Sequence, residues 1–191
     1  LAGPVWVTCP DVLTEFNIHE GEPPDGQVRV AKGVKMKEKL NLGWLMLAKD
    51  AQPFFLDEKL NAVPQEIRSR AVLVPNKLFG QIVNDNLEVR TSVSIDPSTG
   101  AAAEKALFTY EALPQASVLA FEVVISNPKF YLIDGQEPLK NQGGKNKVRQ
   151  AVEDGLKFFE VLGIGGMSTR GMGRLRILNL QSSVNQPKGG A

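Results

Sequence analysis

Five glycines fall within eleven residues near the end of the chain, Gly163-Ile164-Gly165-Gly166-Met167-Ser168-Thr169-Arg170-Gly171-Met172-Gly173, followed by Arg174-Leu175-Arg176-Ile177-Leu178-Asn179-Leu180. Glycine lets the backbone take positive φ and brings amide groups close to an anion that side chains would otherwise keep away. The spacing excludes two phosphate loops. Gly166 and Gly171 have the separation of a Walker A loop, but Met172-Gly173 stands where Lys-Ser/Thr is needed. A dinucleotide fingerprint needs a strand before the loop and a helix after it, whereas here a helical pattern precedes and an alternating strand pattern follows. The candidate anion-binding set is therefore Gly165, Gly166, Met167, Ser168, Thr169, Arg170, Gly171, Gly173, Arg174 and Arg176, acting through backbone amides, hydroxyls and guanidinium groups. Such a set suits a polyanion running across a surface better than a buried nucleotide. The plain alternative is a tight helix-to-strand connection whose arginines only keep it soluble.

A second basic stretch runs from Gln27 to Lys39, where Arg29, Lys32, Lys35, Lys37 and Lys39 crowd around Gly33 and a few valines, opposed only by Glu38. It reads either as a lysine-blunted edge strand or hairpin or as a basic finger touching a phosphate backbone. Lys145, Lys147 and Arg149 form a third cluster, and Arg90 sits on the polar face of a further strand.

The elements that must carry these groups are read from periodicity. Val5–Thr8 is strand-like, and Pro10 opens a short helix to Phe16, proline being favoured at a first helical position. Leu40–Leu47 is a buried-strand candidate, and Asp57–Arg70 a helical segment that Pro64 must divide. Ala71–Val74 is an apolar strand, and Asn76 is expected to cap a helix to about Asn84. Glu88–Ile95 alternates as a strand, and Asp96-Pro97-Ser98-Thr99-Gly100 is a turn by its chemistry. Strands are expected again at Ala106–Tyr110 and at Ser117–Ser126, the latter apolar enough to be central. Asp134–Asn146 reads as a surface loop, and Lys147–Val161 as a helix laying Val148, Ala151, Val152 and Phe159 on a sheet.

Composition bounds the rest. Of 191 residues 42% are hydrophobic, enough for one core, and 22 Lys+Arg against 21 Asp+Glu leave a net charge of +1, so any nucleic-acid surface must be a local basic stripe. The longest apolar run, Leu42–Ala48, is far short of a membrane span. Cys9 is the one cysteine and reads as a small core residue. His19 is the one histidine, set in a loop of Gly, Pro and acid, so neither a Cys/His metal cage nor a Ser-His-Asp triad is expected. No metal site is expected in this chain.

The loop Gly165-Gly166-x4-Gly171-x-Gly173 followed by a strand closely resembles the C-terminal glycine-rich signature of the RAMP superfamily of CRISPR proteins. Val5-Trp6-Val7-Thr8-Cys9-Pro10-Asp11-Val12-Leu13, Ala71–Leu78, Val89–Gly100, Leu107-Phe108-Thr109-Tyr110-Glu111-Ala112-Leu113-Pro114 and Leu119-Ala120-Phe121 resemble, in the same order, the backbone subunits of the type III-B (Cmr) effector complex. The resemblance implies an α+β fold, a ferredoxin-like (RRM-like) core with insertions and a mostly antiparallel sheet. It implies one RAMP domain over 1–180, a thumb or insertion within 17–70, and a flexible tail over 181–191.

The partners so implied are CRISPR guide RNA, target RNA, copies of the chain in a helical filament and other Cmr subunits, in the cytoplasm and with no membrane. The RNA-binding residues are the loop set above, with Arg29, Lys32, Lys35, Arg90 and Lys147 as further contacts. Guide contacts would run through backbone and 2′-hydroxyls, because a repeated subunit meets different bases at each copy. The resemblance also implies metal-dependent cleavage of target RNA (Mg or Mn) by the complete subunit, from an acid on a loop soon after the family's first strand. The first residues here match a segment well inside the family's sequence, so that loop has no counterpart and no catalytic residue is assigned. Asp11 with Glu15 reads as a helix-surface pair. A related RAMP subunit that binds or caps the guide without cutting, and a small-molecule phosphate-binding enzyme, are the alternatives.

Overall fold

The computed structural model describes residues 3–32, 34–36, 38–56, 60–102 and 106–178. Gly33 and Lys37 of the basic stretch and the tail over 181–191 lie outside them. The chain divides into two compact units, 1–120 and 121–191.

The first unit is a mixed α+β structure. Its strands are β1 (Trp6–Thr8), β2 (Gln27–Val30), β3 (Lys39–Leu42), β4 (Leu45–Lys49), β5 (Ala71–Leu73), β6 (Glu88–Ser92) and β7 (Phe108–Ala112). Its helices are α1 (Pro10–Glu15), α2 (Gln65–Arg68) and α3 (Asn76–Asp85). Pro10 opens α1, and Pro64 stands at the N-cap of α2. The first five strands form one sheet in the order β1-β5-β2-β4-β3, and β6 with β7 makes a separate hairpin.

The sheet is mixed, which corrects the mostly antiparallel expectation. β1 runs parallel to β5 and β2 parallel to β4, while β2–β5 and β3–β4 are antiparallel. The stretch expected as one strand at Leu40–Leu47 is the cause on one side. Gly43, at φ +64, reverses the chain between Leu42 and Leu45, so β3 lies at the outer edge and β4 returns between it and β2. Parallel neighbours need a crossover rather than a tight turn, and the chain between β2 and β4 supplies it by way of β3. β2 is consequently an inner strand, not a lysine-blunted edge.

The register sets the two faces. Val7, Val72 and Val30 are neighbours across β1, β5 and β2, and with Val28, Val74, Leu42 and Leu47 they face Val12 of α1 and Leu78, Phe79 and Ile82 of α3. Fully burying each such side chain stabilises the fold by about 1.5 to 3 kcal/mol. Cys9 belongs to this core, as its position at an apolar strand end implied. The opposite face carries Leu73 beside Arg29.

Asn76 is not the cap of α3 but its first residue. The Asn76 amide donates to Glu22 Oε1 at 2.8 Å, and its side-chain oxygen accepts from the Asp11 amide at 3.1 Å. A glutamate 54 residues away thus fills the role expected of the local asparagine.

The second unit contains the helix α4 (Gly144–Leu162) and two 3-10 turns, Pro128–Phe130 and Ser168–Arg170. Two expected strands are not seen among the described residues: 117–126 and 174–178 join no ladder there.

Candidate nucleic-acid interface

The glycine-rich segment is a closed loop built on the end of α4. Gly163 terminates the helix at φ +73, its amide donating to Phe159 O at 2.9 Å. The Ile164 amide then donates to Gly173 O at 2.9 Å, joining the two ends of the loop. Inside it, Arg170 N bonds Met167 O, Gly171 N bonds Ser168 O and Met172 N bonds Met167 O, at 3.0, 2.9 and 3.3 Å. Gly163, Gly165, Gly171 and Gly173 all sit at positive φ. A side chain at Gly173 would collide with the Ile164 carbonyl, and one at Gly163 would press on Gly173 O. Four of the five glycines thus answer to backbone geometry. The amides of Gly165 and Gly166 make no backbone hydrogen bond among the described residues, leaving them available to an anion.

The outgoing chain is tied back to α4, the Ile177 amide donating to Glu160 Oε1 at 2.8 Å. Its alternation survives without a ladder: Leu175 and Ile177 are half-buried, and Arg174 and Arg176 point out, with no ion pair among the described residues. Ser168, Thr169 and Arg170 are exposed at the loop tip and Met167 is half-buried. Lys145 and Lys147 are exposed in the first turns of the same helix. Arg149 is ion-paired to Glu153 at 2.8 Å and Lys157 to Asp154 at 3.0 Å. One helix therefore carries a basic first turn and a glycine loop beyond its last turn, about 28 Å apart along its axis.

The charge is distributed accordingly. Residues 121–191 hold 10 Lys+Arg against 6 Asp+Glu, and residues 1–120 hold 12 against 15. The near-zero net charge of the chain conceals one basic unit and one acidic unit.

The other basic candidates lie in the first unit, and two of them are engaged there. Arg29 Nε donates to Asp50 Oδ2 at 2.7 Å, and its terminal nitrogens donate to the Gly21 and Glu22 carbonyls. Its side chain is 14% exposed and that of Asp50 11%, so this is a half-buried ion pair, and it holds the loop at Gly21 and Glu22. The Arg29 guanidinium holds the Asp50 carboxyl below the usual carboxylate range. Arg29 thus has a structural task in the first unit. Arg90 is bound twice to Glu88 Oε2, at 2.6 and 3.0 Å, on an exposed strand. Lys32 lies 5.3 Å over the Phe55 ring, and Lys35 is exposed.

The periodicity missed Phe130 and Tyr131, two exposed aromatic residues in what reads as the approach to a surface loop. The signal available was Asn127-Pro128 in front of them, a capped turn by composition.

Among the described residues no group of three or more His, Cys, Asp or Glu side chains could hold a metal ion. No chemical step is assigned to the divalent cation implied for target cleavage. No described helix is long and apolar enough to cross a membrane.

A family model, described as the RAMP superfamily, matches residues 15–176. No curated protein matches the chain.

Proposed function

The chain belongs to the RAMP superfamily, and on that premise we propose that it is an RNA-binding subunit of a CRISPR effector complex. Its RNA surface is the second unit. The observation that carries this is the closed loop 163–173 with the exposed Arg174 and Arg176 beside it, in no ion pair among the described residues, on the unit that holds the chain's excess of positive charge.

The finer form of the proposal is the backbone subunit of a type III-B (Cmr) complex. It would hold guide RNA through phosphate and 2′-hydroxyl contacts and present it to target RNA, stacked with copies of itself and other Cmr subunits in the cytoplasm. The order β1-α1-β2-β5-α3, with β5 between β1 and β2, supports a ferredoxin-like core, since it follows the first five elements of that motif. The β3–β4 hairpin is then an insertion between the second and third strands of the motif. No catalytic residue is assigned to this chain in this proposal.

The test is binding of labelled single-stranded RNA across a salt series. Each phosphate contact on a single strand contributes about 0.7 to the slope of log K against log salt. Arg174→Glu with Arg176→Glu is expected to weaken binding and to lower that slope by about 1.4. Unchanged affinity and slope in the folded double variant would overturn the assignment.

A further inference from the structure

Phe130 is 75% exposed and Tyr131 57% exposed, consecutive aromatic side chains of the kind that ordinarily dominate cores and interfaces. They do not hang from a loose segment. Pro128, which opens the turn, is buried, and Asn127 Oδ1 accepts from the Lys129 amide at 3.2 Å to cap it. The amides of Phe130 and Tyr131 donate to the carbonyls of Asn127 and Pro128 at 3.2 and 3.1 Å. Just beyond, Ile133 and Gln136 exchange both backbone hydrogen bonds at 3.0 Å around Asp134 and Gly135, each at positive φ, as in a two-residue type I′ turn. Both rings are thus held between two tight turns, so little backbone freedom remains to be lost when something lands on them.

The charge around them selects the occupant. Lys129 Nζ lies 4.9 Å from the centroid of the Phe130 ring. Lys140, Lys145 and Lys147 are exposed in the same stretch and form no ion pair among the described residues. Residues 128–149 carry four lysines against Asp134 and Glu137, Arg149 being taken up by Glu153. Rigid aromatic faces among uncompensated lysines are what sequence-tolerant single-strand binding uses: bases stack on the rings and the cations follow the backbone. Leu132 and Ile133, the next two residues, are exposed as well. Their bulk alone would suit a protein, but the charge excess favours a polyanion.

We propose that Phe130 and Tyr131 form a stacking platform for bases of single-stranded RNA, with Lys129 and the lysines at the start of α4 on the adjoining phosphates. This rests on the RNA-binding function proposed above and adds to it a site apart from the glycine loop in sequence. The platform reads the π-faces of bases, so it accepts any sequence and discriminates against duplex.

The test uses the full chain and a labelled oligoadenylate at fixed and varied salt. Phe130→Ala with Tyr131→Ala is expected to weaken binding about tenfold or more with the salt slope unchanged, because stacking releases no counterions. Phe130→Leu, which keeps apolar bulk and removes the ring, should lose affinity, while Tyr131→Phe should stay within about twofold of the parent. Unaltered affinity in the folded alanine variant, with binding still sensitive to Arg174→Glu and Arg176→Glu, would overturn the platform and leave the RNA-binding function standing. Unaltered affinity together with altered self-association would mark the patch as a protein contact and also overturn it. Absence of any RNA binding by the parent chain would overturn both.

Discussion

The Ile164 amide reaches the Gly173 carbonyl at 2.9 Å, across a loop that leaves the end of α4 and comes back to it. That bond fixes where Ser168, Thr169 and Arg170 are held out and where Arg174 leaves the loop. Gly173 tolerates the approach only because it lacks a Cβ and sits at φ +72.

Gly173→Ala is therefore expected to destabilise the second unit by about 1 to 3 kcal/mol, the usual cost of forcing a side chain into such a conformation, with the clash adding to it. Gly166→Ala meets open space and should stay within about 0.5 kcal/mol of the parent. Urea unfolding monitored by circular dichroism separates the two, and equal losses would contradict the closure described above.

Arg29 and Asp50 give the acid dependence of the first unit. The Asp50 carboxyl is held low in the folded chain by Arg29. Its stabilising contribution is thus fully present above the unfolded value near 3.9 and is lost as pH falls through the folded value. Stability should fall below about pH 4, and Asp50→Asn should flatten that fall. Arg29→Ala should cost about 1 to 3 kcal/mol at neutral pH by leaving a largely covered carboxylate without its main partner. Urea midpoints measured against pH in the parent and the two variants check both expectations, and a parallel pH profile for Asp50→Asn would contradict them.

Much of this frame was legible in the sequence, and the reasons are local. Pro10 at a helix start, the apolar run Ala71–Val74 and the alternation after Glu88 each express a single element's own geometry. The turn at Asp96–Gly100 does so too, with the Gly100 amide bonding Asp96 O at 2.8 Å and Asp96 Oδ1 accepting from Ser98. What alternation cannot carry is the identity of a neighbour. The parallel pairing of β2 with β4, the cap given to α3 by Glu22 and the seizure of Arg29 by Asp50, 21 residues on, all depend on partners distant in the chain. Ser117–Ser126 has the apolar content of a strand but no ladder partner among the described residues. At the candidate site the glycines and arginines were visible by type. That Gly163 and Gly173 serve each other was not, because close backbone approach leaves no trace in spacing.

Cys9 offers a probe of the core. Burial pushes its thiol above the ordinary range, with the backbone amides of Val12 and Asp11 opposing. Iodoacetamide at mildly alkaline pH should leave the folded chain unmodified and alkylate it fully in urea, as read by intact mass. Rapid modification of the folded chain would contradict the packing of Cys9 against Val72, Val74 and Ile82.

Trp44, at the tip of the β3–β4 hairpin, is 90% exposed, whereas the Trp6 indole donates to Ala116 O at 2.9 Å. Trp44→Phe should blue-shift the emission of the chain and reduce its quenching by acrylamide, while changing stability by less than about 0.5 kcal/mol. A red shift on removing Trp44 would reverse the assignment of the two indoles.

RNA is expected to lie on the second unit and not on the basic stretch of the first. Hydrogen exchange with and without saturating single-stranded RNA tests it most directly. Slowed exchange is expected only over residues 121–178, strongest across the loop 163–173 and the arginine segment behind it. Protection confined to residues 1–120, or none anywhere, would contradict it.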